Sequence, residues 1–445
     1  MMKAIILLLV CLCIISTAFS NNVHVERSWT ESKALDIIKE NLKYSADDTI
    51  NCSVEKCCDT SSNECSLKEM AADKSTFVFP GGSTQCIFGS PYAFQVIPGK
   101  SDKLLVYFQG GGACWDPIST LIDPLCTTDI RKQSPVGIFD RLSARNEFKD
   151  FTIVMGIYCS GDIWAGNKTQ DYSKNGQPVT QVGYLNAKAT VDWVTKQQAS
   201  GSLSSVLSNL VIMGCSAGSI GAQLWANTVL EKLQYKTAAV VPDSYAGIFP
   251  DGSEGPLIYS FGACSTPLIA SDLKSSCNAQ SLTMRSIAEE NIKKVPNIPY
   301  AYIQSKVDEV QMSFYVSVGI TTNTSAVLTP SSFYAKTNEL FGTYNALDKN
   351  FITFLVNGPH HCYTNQEIYY TADGLGYENN GKGGAGMLSD WLNQLPLVSG
   401  SSISTQCTGE VAKNVVLQKS SEIIDLTTNE CTYCSASLVP KTFSE

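Results

Sequence analysis

The sequence predicts an α/β fold in three layers, with a mostly parallel central sheet between helices and disulfide-tied insertions at the surface. Two observations predict it. Short β-branched and aromatic runs recur along the chain, and segments of helical character follow several of them. At Leu210-Val211-Ile212-Met213-Gly214-Cys215-Ser216-Ala217-Gly218-Ser219 the two are joined almost without linker. There an apolar run meets a Gly-x-Ser-x-Gly turn, and a helix-compatible stretch follows from about Ile220 to Gln234.

Residues 1–20 read as a secretory signal. Lys3 is their sole charge, Ile5 to Ile15 form the apolar stretch, and Ala18-Phe19-Ser20 is a small-x-small cleavage site. No later run has the length needed to span a bilayer, and Lys441 to Glu445 lacks a lipid-anchor pattern. A soluble, secreted, extracellular protein without stable membrane insertion is expected. Of 17 cysteines, Cys11 and Cys13 leave with the signal, and an odd 15 remain. In an oxidising compartment most should pair, with one left over. Cys215, beneath the turn, is the expected free thiol. Cys114 with Cys126 and Cys264 with Cys277 are plausible bridges. Asn51, Asn167 and Asn323 open glycosylation sequons.

The net charge of −9 becomes −10 without Lys3. An acidic chain with scattered Lys and Arg does not suit nucleic acid, and long-range repulsion disfavours polyanionic substrates.

Residues 21–79 are expected to form a Cys-rich amino-terminal wrap, helical from Glu31 to Leu42 and tied by Cys52, Cys57, Cys58 and Cys65. A zinc knuckle is the competing reading of those cysteines, disfavoured by secretion and by the lack of nearby His. Residues 80–398 make the main domain. Its predicted strands are Lys103–Gln109, Phe151–Tyr158, Leu210–Met213, Thr237–Val241, Pro299–Gln304 and Phe351–Val356, each a β-branched or aromatic run. Helices are predicted at Asn186–Gln198 and Met387–Leu395, and residues 250–296 read as a surface insertion. Residues 399–445 form a polar extension carrying Cys431-x-x-Cys434, read as two ordinary disulfide partners.

Chemistry-bearing residues fall just past the strands. A sharp strand-to-helix turn places Ser216 at its apex, with Gly214 and Gly218 there because side chains would clash across it. The Ala217 amide, at the helix start, points where an oxyanion would form. Gly110-Gly111-Gly112 leaves further N–H groups uncovered, so Gly111, Gly112 and Ala217 are the expected oxyanion donors. Asp308 follows one strand and His360-His361 another. Only His24, His360 and His361 exist in the chain, so a base for Ser216 at neutral pH is His360 or His361. Asp308 would orient it, with Asp243 as the rival acid. Trp115, Asp162, Trp164 and Asp243 are candidates for a substrate pocket, although Asp162 also suits a structural turn. Adjacent histidines do not form a metal site, and no cofactor is expected.

The motifs Tyr107-Phe108-Gln109-Gly110-Gly111-Gly112-Ala113-Cys114-Trp115, Tyr158-Cys159-Ser160-Gly161-Asp162, Gly214-Cys215-Ser216-Ala217-Gly218-Ser219, Asp308-x-x-Gln311 and His361-Cys362 occur in that order. Over residues 80–395 the chain resembles the pectin acetylesterase family, which includes the Notum carboxylesterases. The resemblance implies an α/β-hydrolase-like fold and a carboxylesterase with a Ser216, Asp308 and His361 triad. It prefers His361 to His360 because a Cys directly follows. The implied substrate is an acetyl ester on a pectin-like polysaccharide or, alternatively, a fatty acyl (palmitoleoyl) ester on a secreted protein. A monomer is expected. A secreted serine peptidase and a non-catalytic carbohydrate-binding protein are the competing classes.

Overall fold

The computed structural model describes residues 32–372 apart from 44–47, 62–64, 325–326, 348–349 and 357, and also 388–392, 416–419 and 422–425. The signal segment, the Cys431 and Cys434 pair and most of the carboxyl extension lie outside the described residues.

Nine strands form the central sheet: β1 (Lys56–Asp59), β2 (Thr76–Phe79), β3 (Phe94–Ile97), β4 (Lys100–Phe108), β5 (Phe151–Gly156), β8 (Leu207–Cys215), β9 (Tyr235–Asp243), β10 (Tyr300–Ser305) and β11 (Phe351–Val356). Their spatial order is β1-β2-β3-β5-β4-β8-β9-β10-β11. All neighbours pair in parallel except at β3, which runs antiparallel to β2 and β5. The fold is thus α/β-hydrolase-like with a mostly parallel sheet. A separate antiparallel hairpin, β6 (Lys168–Lys174) with β7 (Gln177–Gln181), rises from the loop after β5. Another antiparallel pair joins β12 (Val416–Lys419) to β13 (Glu422–Asp425).

The strands are buried on both faces, which is why they read as continuous apolar runs rather than alternating ones. On one face Leu104, Val106, Leu210, Ile212 and Tyr302 pack under α2 (Gly183–Ala199), α3 (Ala217–Lys232), α6 (Met284–Lys294) and α8 (Pro330–Leu347). On the other, Leu105, Tyr107, Val211, Met213 and Ile303 meet short helical turns at Gly137–Phe139, Glu147–Asp150 and Glu367–Tyr370, together with α9 (Leu388–Leu392). α4 (Glu254–Ser260), α5 (Lys274–Asn278) and α7 (Glu309–Thr321) add Leu257, Ile258, Cys277 and Val318 to the core of the first face; α1 spans residues 32–41.

Twelve described cysteines form six disulfides: Cys52–Cys57, Cys58–Cys65, Cys86–Cys159, Cys114–Cys126, Cys215–Cys362 and Cys264–Cys277. The bridges expected at Cys114 and Cys264 form. Cys215 is not free, which corrects the expectation that it is the unpaired thiol. The turn after β11 brings Cys362 to it, with their Cα atoms 5.6 Å apart. Cys52, Cys57, Cys58 and Cys65 are consumed as disulfides, so they offer no thiolates to zinc. Asn51, Asn167 and Asn323 are exposed. No helix among the described residues is long and apolar enough to cross a membrane.

Candidate active site

The bend between β8 and α3 holds Ser216 at φ +59° and ψ −125°, a left-handed conformation that non-glycine residues rarely adopt. A side chain on Gly214 would run into the Gly218 carbonyl, and one on Gly218 into the Phe108 carbonyl. The Ser216 N–H donates to the Asp243 carbonyl at 3.0 Å, which ties the bend to the end of β9.

The loop after β4 is fixed by two backbone bonds, Ala113 N–H to Leu125 O at 3.1 Å and Thr127 N–H to Gly111 O at 2.8 Å. They leave the Gly112 N–H out of the pairing. Gly112 itself has φ +68°, where a side chain would also meet the Leu125 carbonyl. Ala217 is the first residue of α3, so its N–H lacks an intrahelical acceptor. Gly112 and Ala217 line the same cleft as Ser216. Gly111 lines the adjoining arm of that cleft.

Asp308 caps α7. Its Oδ1 accepts from the N–H groups of Val310 and Gln311 at 3.1 and 2.9 Å, and its Oδ2 from Gln311 Nε2 at 2.8 Å. Negative charge at a helix N-terminus is favourable there. His361 Nδ1 lies 2.8 Å from Asp308 Oδ2 and 3.0 Å from Oδ1, and both side chains are buried. That bond fixes the ring, because an ionised carboxylate only accepts, so Nδ1 carries the proton. Nε2 is buried and makes no hydrogen bond. His361 lines both arms of the cleft, as Ser216 does. His360 instead bonds Gln366 Oε1 through Nε2 at 3.1 Å and packs edge-on against Tyr363.

Asp243 does not contact a histidine. Its Oδ2 accepts from the N–H groups of Tyr363 and Thr364 at 2.9 and 2.8 Å and from the Thr364 hydroxyl at 2.8 Å, and its Oδ1 from the Ser244 hydroxyl at 2.8 Å. Burial pushes its carboxyl up, against those four bonds. Its place is under the His361 turn, holding it, and not in the pocket wall as expected.

Asp162 and Trp164 also fall outside the cleft wall. Asp162 is fully buried and accepts from Gly183 N–H at 2.6 Å, the Ser160 hydroxyl at 2.7 Å and Trp164 N–H at 3.3 Å. It caps the start of α2, the structural use such a turn offers. Trp164 is buried against Phe108 and Tyr158 and donates to the Gln109 carbonyl at 3.1 Å. Its neighbour Ile163 reaches the cleft in its place. Trp115 does line the cleft, and its indole N–H donates to Thr321 Oγ1 at 2.9 Å.

Two arms meet at Ser216 and His361. One encloses about 790 Å³ including its mouth and is walled by Trp115, Phe249, Leu257, Phe261, Phe314 and Val318. The other, about 840 Å³, is the more polar, with Asp48, Lys132, Gln133, Ser134, Asn365 and Gln366 in its wall beside Ile38, Leu42, Val310 and Phe314. The motif Asp308-x-x-Gln311 singles out Gln311 without a role; it ties Asp308 to β10 and to Ala246 through Gln304 Oε1 and the Ala246 N–H. Its spacing from Asp308 was the available signal. Sequence reasoning missed Glu254, at the apolar arm, whose carboxyl burial pushes up to about 8. Among the described residues the grouping closest to a metal-ligand set is Cys215, His361 and Cys362, and both of its sulfurs are used in the disulfide.

A serine on a strand-turn-helix bend, an aspartate-paired histidine in the same cleft and a mostly parallel sheet together define the α/β-hydrolase class. A family model described as Pectinacetylesterase matches residues 74–394, and the chain belongs to that family. It is accordingly a carboxylic ester hydrolase. The crystal structure of the Wnt deacylase Notum from Drosophila is similar at 17% identity, covering 71% of this chain and 91% of that one, with a TM-score of 0.47. No curated protein sequence matches.

Proposed function

We propose that this chain is a secreted serine carboxylesterase that removes O-acyl groups from a polysaccharide, through Ser216, His361 and Asp308. The observation that carries the reading is the placement of the Asp308-paired His361, with its Nε2 unengaged, in the cleft that Ser216 lines. In this mechanism Ser216 Oγ attacks the ester carbonyl carbon while His361 Nε2 takes the hydroxyl proton. The N–H groups of Gly112 and Ala217, with Gly111 beside them, receive the negative charge on the carbonyl oxygen. Collapse breaks the C–O bond, and His361 gives its proton to the departing alcohol. Water then loses a proton to His361 and attacks the acyl-serine, and the carboxylic acid is released as the proton returns to Ser216. Asp308 keeps the imidazole in one tautomer and stabilises its charged form.

The acyl group admits a second reading. An acetyl group is the smallest the apolar arm would take, and a wall of Trp115, Phe249, Leu257, Phe261, Phe314 and Val318 offers far more apolar surface than two carbons cover. This favours a longer acyl chain. The reaction class is tested by comparing turnover of 4-nitrophenyl acetate with that of a peptide amide. Ester turnover that vanishes in Ser216→Ala supports the reading. Amide turnover at a comparable rate, or ester turnover that survives the substitution, contradicts it.

A further inference from the structure

We infer that residues 32–43 with 48–49, which lie outside the family-matched residues 74–394, form the outer wall of the leaving-group side and set which alcohol the enzyme accepts. The inference rests on the esterase reading above. Ile38, Asn41, Leu42 and Asp48 face the polar arm that opens at Ser216 and His361. An ester bound at Ser216 must send its acyl group and its alcohol to different sides. The apolar arm suits the acyl chain, so the polar arm receives the alcohol.

The wall is held in place. Ile38 is buried in the main core, and Lys39 pairs with Asp123. Lys132 N–H donates to the Asp48 carbonyl at 2.9 Å, and Thr49 bridges Arg131 by backbone and by an Arg131 Nη1 bond to its hydroxyl at 2.9 Å. Opposite, Asn365 Oδ1 is buried at the arm without a partner. A carboxamide oxygen left so is costly, and a donor from a ligand would satisfy it. The Asp48 carboxylate and the carboxamides of Asn41 and Asn365 around one cavity suit a hydroxyl-rich alcohol, such as a sugar unit; the Lys132 ammonium there is paired with Glu55.

The test compares two esters of one acyl group. Partially acetylated xylotriose carries a hydroxyl-rich leaving group, and 4-nitrophenyl acetate carries an aromatic one with no hydroxyl groups to bond. Asn41→Ala and Asp48→Asn are made in the full chain; Asn41 is exposed, so its removal leaves the fold intact. Expected is a fall of about tenfold in kcat/KM on the trisaccharide ester through KM, with 4-nitrophenyl acetate kept within twofold. Equal effects on the two esters, or no effect on either, would overturn the inference. Loss of 4-nitrophenyl acetate turnover in the unaltered chain would instead remove the esterase reading beneath it.

Discussion

Cys215 and Cys362 are bonded across the end of the sheet, and they are the immediate neighbours of Ser216 and His361. The residue before the bend and the residue after the imidazole are therefore one covalent unit, although 147 positions separate them in sequence. Ser244 reinforces the joint, accepting the Cys362 N–H at 2.9 Å. The double variant Cys215→Ala/Cys362→Ala should lose about 2–4 kcal/mol of stability and about tenfold in kcat. Thermal melts and steady-state kinetics check this. Unchanged kcat would mean that the hydrogen bonds of the His361 turn suffice.

Two buried aspartates should separate by readout. Asp308→Asn should lower kcat by about 10³–10⁴ with little change in melting temperature, because it leaves the geometry but loses the tautomer control. Asp243→Ala removes an acceptor of four bonds under the same turn and should cost roughly 3 kcal/mol or more in stability. Calorimetry beside kinetics distinguishes them. A stable but inactive Asp243→Ala would contradict the stability role and make Asp243 a positioning residue for His361.

Glu254 sets a pH dependence. Its carboxyl is pushed up to about 8 in the fold, while an unfolded chain ionises it near the ordinary glutamate value. Between those two pH values the folded state holds a proton the unfolded state has lost, so stability falls as pH rises through the window. Glu254→Gln keeps an acceptor for the Met284 N–H and removes the titration. It should equal the unaltered chain near pH 4 and exceed it by on the order of 5 kcal/mol at pH 9. Parallel melting curves across that range would contradict this origin.

The apolar arm predicts a chain-length preference. With 4-nitrophenyl esters from acetyl to octanoyl, kcat/KM should rise a few-fold per methylene, since each buried CH₂ is worth about 0.8 kcal/mol. Val318→Trp, in the arm's wall, should shorten the optimum while leaving acetyl turnover near its original rate. A series that peaks at acetyl would restore the shorter acyl group.

The strands that carry the site were legible because a sheet buried on both faces imposes unbroken apolar runs, as in β8 and β11. The bend at Ser216 was legible because sterics force glycine on both sides of it. α7 was not: Glu309–Thr321 holds Val310, Phe314, Tyr315, Val316, Val318, Ile320 and Thr321, β-branched and aromatic types that tertiary packing overrides into a helix. Asp162 and Asp243 look alike in sequence to Asp308, each following a strand. Only the structure shows that the first caps α2, the second holds a turn and the third meets His361. The pairing of Cys215 was hidden because an odd cysteine count says nothing about which thiol is left over.

The central claim is that His361, not His360, makes Ser216 reactive. The rate of covalent labelling by a fluorophosphonate, with the adduct mapped by peptide mass spectrometry, measures it directly across the unaltered chain, His361→Ala and His360→Ala. The account predicts an adduct on Ser216, labelling slowed at least about 10³-fold by His361→Ala, and a rate within several-fold of normal in His360→Ala. An adduct on another residue, or labelling that stops in His360→Ala and persists in His361→Ala, would contradict it.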